Sequence, residues 1–221
     1  FERAVKQGCK KIYLTSQDNG CYGFDFENKQ NKTNLADLLN ELMKIKNNNY
    51  AFIDAQNVHL SIKRLGWDLD WKKFRVFLTE RFGVEKAQLF IGLVPGNASL
   101  YQYLQSVGFE IIFKDTIELK NGTRKGNVDA ELVLYSAAIE LNNYNKAVIV
   151  SGDGDFACLI DFLQKKDKLK SVIVPDELKY SALLKKYSKP NDNIIHFMNR
   201  SKRILSKDLT QIEKASIGTN P

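Results

Sequence analysis

Cysteine and histidine are scarce in this chain, with three and two respectively among 221 residues. Cys9, Cys21 and Cys158 form no metal-binding spacing, and their odd number leaves one over from any full pairing. That excludes a zinc knuckle or a disulfide framework as the organising device, and a reducing cytoplasm is the expected compartment. His59 and His196 lie far apart in sequence, and neither shares a motif with a Ser or Cys nucleophile. Histidine-driven nucleophilic catalysis is therefore not expected. No apolar run is long enough to cross a bilayer. The opening stretch FERAVKQGCKK also lacks the apolar segment of a secretory signal. Glycine-rich phosphate signatures are missing as well: there is no Walker loop, and no GxGxxG follows a strand.

The chain is 43% hydrophobic, enough at this length for one α/β core with a short appendage. Lys and Arg number 33 against 26 Asp and Glu, a net charge of +7. Such an excess suits a polyanionic partner such as nucleic acid, although a lysine-rich proteome produces the same balance.

From residue 50 onward, short apolar runs alternate with amphipathic stretches. YAFID, QLFIGLV, FEIIFK, AVIVS, SVIV and NIIHF read as strands. Helices are expected over 58–65, 70–82, 98–106, from 128, over 155–166 and over 180–187, with ELKNGTRKGN as a loop. Continuous apolar runs separated by helices imply a buried parallel sheet. Residues 1–49 form an N-terminal extension. In it Leu35, Leu38, Leu39, Leu42 and Ile45 recur at helical spacing behind Thr33 or Asn34 as N-cap. An apolar stripe of that size needs cover, and a homodimer through 34–46 is one way to supply it. Residues 50–199 read as the main domain, and 200–221 as a basic C-terminal helix or tail.

The chemistry lies in acidic residues that the sequence separates. Asp54 ends the strand YAFID, and Asp153 and Asp155 follow AVIV in SGDGDF. Ligands of open α/β sheets bind at the carboxyl ends of strands, where strand order reverses. If the order reverses between these two strands, Asp54 and Asp153 become neighbours. Carboxylates brought together there repel by about 4 kcal/mol per pair at roughly 4 Å and an effective dielectric near 20, so a cation or protons must neutralise them. Oxygen ligands without His or Cys point to Mg2+ or Mn2+. The plainer account makes Asp155 an N-cap, but it leaves Asp153 without a duty. Asp129 opens the helix VDAELVLYSAAIEL, where the dipole alone favours an acid. Asn57 is either a helix cap or a support that orients Asp54 or a metal-bound water. Arg124 and Lys125 precede Asp129 in a loop that reads equally as a clamp for a phosphate backbone and as an ordinary solvated loop. Glu131, two residues beyond Asp129, falls on another helix face. Trp67 and Trp71 sit at apolar helical positions and are expected to pack the core.

FIDAQN at 52–57, KGNVDAEL at 125–132 and VSGDGDF at 150–156 together resemble the NYN domain family, a branch of the PIN-like nucleases. YSALLKKYSKPNDNIIHF at 180–197 is similar to that family's closing helix and strand. The resemblance covers about residues 50–197. It implies an α/β fold with a Rossmann-like (PIN-like) parallel sheet flanked by helices. It also implies an acidic site binding Mg2+ or Mn2+ and cleaving RNA. By that resemblance the catalytic set is Asp54, Asp129, Asp153 and Asp155 with Asn57 in support, and Asp54, Asp129 and Asp153 hold the metal. Many relatives carry a further Asp about two turns beyond Asp129, where Tyr135 and Ser136 stand here.

The expected function is that of a metal-dependent nuclease, a hydrolase acting on RNA or on single-stranded DNA. One alternative is a non-catalytic module binding nucleic acid or protein on the same fold. Another is a DxD-type enzyme acting on a nucleotide sugar through Asp153 and Asp155, against which the lack of any acceptor or base motif counts.

Overall fold

In a computed structural model, the chain divides into two units, residues 1–47 and 48–221. The residues described below are 48–114, 117–118, 124–125, 128–188 and 194–207. The leucine-striped helix expected over 34–46, and the dimer contact through it, lie outside this set.

Six parallel strands form the sheet: β1 (Asn49–Asp54), β2 (Val84–Gly92), β3 (Phe109–Lys114), β6 (Ala147–Val150), β7 (Leu169–Val174) and β8 (Ile195–Phe197). Their spatial order is β3-β2-β1-β6-β7-β8. The chain thus builds outward from β1 in one direction, returns to its other side at β6, and builds outward again. The switch point falls between β1 and β6, where Ile53 pairs with Val150. Both expectations, a parallel α/β sheet and a reversal at this place, are met. The fold has the physical logic of a two-faced sheet. Along β1, Ala51 and Ile53 enter one core with Val58, Phe74 and Leu89. Tyr50 and Phe52 enter the other, with Leu132, Tyr144 and Ile149. Every residue of β1 and β6 is buried, which is why these strands read as unbroken apolar runs.

Helices α1 (Ala55–Arg64), α2 (Trp71–Phe82) and α3 (Ala98–Ser106) serve the first core. Helices α4 (Asp129–Leu134) and α5 (Ala157–Lys165) serve the second. Asp54 and Asp70 cap α1 and α2, accepting the backbone N–H of Asn57 and Lys73 at 3.0 Å each. Helix α2 ends on Gly83 at φ 65°, a left-handed position that a side chain disfavours.

Two details depart from the sequence reading. Two pairs of residues in the stretch ELKNGTRKGN and its approach form a ladder rather than loop alone: β4 (Ile117–Glu118) pairs antiparallel with β5 (Arg124–Lys125). The helix expected over 180–187 is a 3-10 turn, Ala182–Tyr187, capped by the Ser181 hydroxyl. The basic segment from residue 200 carries a short helix, α6 (Lys202–Leu205), whose Leu205 is wholly buried. Its main chain is tied to the residues before α2, with Asp70 donating to Leu205 O at 2.9 Å and Lys207 to Asp68 O at 3.0 Å.

Candidate acidic metal site

The site assembles where β1 and β6 end side by side. Burial of YAFID carries Asp54 into the interior, 6% exposed, while its carboxylate also starts α1. Across the switch point the Ser151 hydroxyl donates to Asp54 Oδ2 at 3.3 Å and accepts the Asp153 N–H at 3.1 Å. Asn57 closes the joint from the other side, its Oδ1 accepting the Gly152 N–H at 2.9 Å. Asn57 therefore caps no helix with its side chain; it fastens the start of α1 to the loop that carries the acids. Next, Asp153 Oδ1 accepts the Asp155 N–H at 3.1 Å and caps the 3-10 turn Gly154–Phe156. The capping duty expected of Asp155 falls to Asp153, and Asp155 keeps an exposed carboxylate.

That turn is tightly enclosed. A Cβ on Gly154 would sit 2.2 Å from Ser181 Oγ and 2.9 Å from Ser181 Cβ. Ser181 in turn donates its N–H to Gly152 O at 3.0 Å. Glycine is the residue that lets the two loops touch.

Asp129 reaches the same place from the first turn of α4. One carboxylate oxygen each from Asp129, Asp153 and Asp155 lie within 4.8 Å of one another. Asp54 stands behind this trio and feels it. Its carboxyl is pushed up to about 6, chiefly by burial and further by the charges of Asp129 and Asp153. The N–H of Asn57 and the Ser151 hydroxyl pull it the other way. Oxygen donors at this spacing, beside a carboxyl that resists ionisation, match what a small hard dication neutralises.

Four other residues singled out in the sequence have these places. Arg124 and Lys125 form β5, which pairs with β4 in a ladder separate from the main sheet; only their backbone belongs to the described residues. Glu131 is paired with Lys114 instead of joining the acids. Ser136 lies fully buried at a π-helical turn, Tyr135–Ile139, with its hydroxyl donating to Leu132 O at 2.7 Å.

Two residues escaped the sequence reading. Ser151 links Asp54 to the Asp153 backbone, and its place directly after AVIV was the available signal. Asp176 follows SVIV much as Asp54 ends YAFID. It is buried, accepts the N–H of Leu178 and Lys179 at 2.9 and 3.2 Å, and faces Arg64 at 3.5 Å. Those partners engage it in holding its own loop.

Residues 50–189 match the family model of the NYN domain, which covers more than half of the chain. The chain belongs to the NYN domain family. The fold of this family is that of PIN-like nucleases. Among curated proteins, the NYN chain is 40% identical over 129 residues to a "probable threonylcarbamoyladenosine tRNA methylthiotransferase" of Pyrococcus abyssi, a match covering 58% of this chain. It spans only about a quarter (27%) of that relative's length. It is 27% identical over 135 residues to the "low amplitude and bright protein LabA" of Synechococcus elongatus, covering 57% of this chain and 72% of that one. Among solved structures, a protein of unknown function from Vibrio parahaemolyticus superposes with a TM-score of 0.54 at 26% identity. The match covers 63% of this chain and 88% of that one.

Proposed function

We propose that this NYN domain is a nuclease that hydrolyses phosphodiester bonds of RNA with Mg2+ or Mn2+. The observation that carries the reading is the oxygen trio of Asp129, Asp153 and Asp155 within 4.8 Å, backed by the buried Asp54. Asp54, Asp129 and Asp153 are the residues we assign to the metal, with Asp155 at the solvent side. When bound, the cation would supply Lewis acidity toward the scissile phosphate and lower the pKa of a coordinated water.

The rest of the chemistry belongs to the chain. Asp54 is shielded from solvent, and without a cation burial and its acidic neighbours hold its carboxyl near 6; a bound dication would favour its ionised form. Ser151 orients it through Oδ2, and the Asn57 N–H through Oδ1. Asn57 and Ser151 also fix the Gly152–Asp153 backbone, so that Asp153 is presented on a rigid turn. Positioning of this kind is what a site needs to bind a transition state better than a substrate. Arg124 and Lys125, next to Asp129 in sequence, are assigned to the RNA backbone. The +7 net charge favours that polyanion around an acidic centre.

One feature favours a second reading, a non-catalytic module binding nucleic acid or protein. Ser136, at the place where many relatives carry another Asp, is fully buried and spends its hydroxyl on Leu132 O. The deciding experiment is turnover of an end-labelled RNA with and without Mn2+. Cleavage that Asp153→Asn abolishes while the fold is kept supports the nuclease; RNA binding without turnover supports the module.

A further inference from the structure

A cavity of about 570 Å3 opens at the same carboxyl edge of the sheet, on the first-core side of α1. It begins one residue after Asp54, with Ala55, Gln56 and His59 in its lining, and includes Gly92 at the end of β2. The volume far exceeds the voids of a packed interior and lies in the range of roughly 300–1,000 Å3 typical of ligand sites. Both tryptophans of the chain, Trp67 and Trp71, line it.

Its walls are fixed before any ligand arrives. The Trp71 ring meets Phe74 and Phe109 edge-on, with centroids 6.2 and 5.7 Å apart. Tyr101 meets Phe113 edge-on at 4.9 Å, and its hydroxyl accepts the Val94 N–H at 3.0 Å. Leu100 and Tyr103 are 39% and 40% exposed, and both line the cavity, so apolar surface faces solvent there. Among the charged side chains of the lining, Lys63 and Lys207 outnumber Asp68. An aromatic chamber with a cationic excess complements a flat heterocycle that carries phosphate.

We propose that this cavity is a nucleotide subsite. A base of the RNA strand packs among its aromatic walls, and Lys63 and Lys207 serve its phosphate. The proposal rests on the nuclease reading for the identity of the strand, and on the cavity alone for the chemistry of recognition. Aromatic packing accepts any base, because every base has a π face.

The two tryptophans make the test label-free, since no other residue of the chain emits as they do. The full chain carrying Asp153→Asn, in metal-free buffer, is titrated with uridine and adenosine 5′-monophosphate and with a short single-stranded oligoribonucleotide, following tryptophan fluorescence. A saturable change is expected for each. Leu100→Glu sets a carboxylate at the half-exposed rim, and Lys63→Ala removes a cation. Each should weaken binding about tenfold, the size of one lost base contact, with the circular dichroism of the parent retained. Emission that ignores the nucleotides, or variants that both bind as tightly as the parent, overturns the subsite. If in that case RNA is still cut with Mn2+ by the chain with Asp153 intact, the nuclease reading survives. Nucleotides that titrate the cavity, with no Mn2+-dependent RNA cleavage by the chain that keeps Asp153, would sink that reading and leave the subsite standing.

Discussion

Asp54→Asn should stabilise the metal-free protein above pH 6. The wild-type carboxyl is held near 6 in the fold against 3.8 as a free side chain. The folded state therefore binds the proton more tightly, and the stability this lends is complete below pH 3.8 and lost as pH rises through 6. A shift of about two units corresponds to roughly 3 kcal/mol at neutral pH. Asparagine caps helices as well as aspartate does, so the bond to the Asn57 N–H survives. Loss of the negative charge at the start of α1 returns up to about 1 kcal/mol. The net gain is about 2 kcal/mol, or a midpoint rise of roughly 4–8 °C for a domain of this size. The assay is urea unfolding of both proteins in chelator, at intervals from pH 4 to pH 8. The difference between them should be near zero at the acid end and open as pH rises. Adding Mn2+ should then reverse the ranking, because a ligand of the folded state stabilises the chain that keeps its carboxylate. A variant less stable than wild type at pH 8, or a difference that does not change with pH, would show that Asp54 is not strained by burial and by its acidic neighbours.

Gly154→Ala should cost about 1–3 kcal/mol in chemical denaturation, because its Cβ would lie 2.2 Å from Ser181 Oγ; Ser181→Gly in the same chain should recover part of the loss. A Gly154→Ala protein of parental stability would mean that the two loops do not press on each other. RNA affinity measured by fluorescence anisotropy should fall as salt rises. Arg124→Ala and Lys125→Ala should each weaken it with little dependence on base sequence, and binding indifferent to salt would point to a protein partner instead. For the helix expected over 34–46, Leu38→Asp with Leu42→Asp should yield a folded monomer by light scattering; a parental mass with lower stability would place the stripe in the core of its own chain.

The parallel sheet was legible because β1 and β6 are buried on both faces, which writes YAFID and AVIV as runs without polar interruption. Helix α3 was legible over its full span because its apolar residues keep helical spacing between Asn97 and Gly108. The Ala182–Tyr187 segment misled for a physical reason. Its six residues bury only Leu184 and Tyr187, three apart, a spacing that 3-10 and α-helical turns share. The cavity was illegible for a related reason. Trp67 and Trp71 satisfy the apolar pattern whether a neighbour fills the space beside them or nothing does, and periodicity reports only which face is apolar.

The acidic site shows where motif reading stops and geometry begins. SGDGDF announces two carboxylates but not their division of labour. Asp153 and Asp155 are two residues apart on a tight turn, so only one oxygen can accept the N–H that starts the turn. The extended backbone of Asp153, at φ −80° and ψ 138°, gives it that bond. Asp155 is left facing solvent, where Asp129 arrives from a helix that no local pattern ties to this loop. Ser151 and Asn57 tie the acidic loop to Asp54 and the start of α1 across the switch point, by bonds spanning 97 and 95 residues of sequence. The carboxylate count was thus readable from the chain. Which oxygens converge, and which carboxyl retreats into the interior, follow from a strand order that only the folded sheet displays.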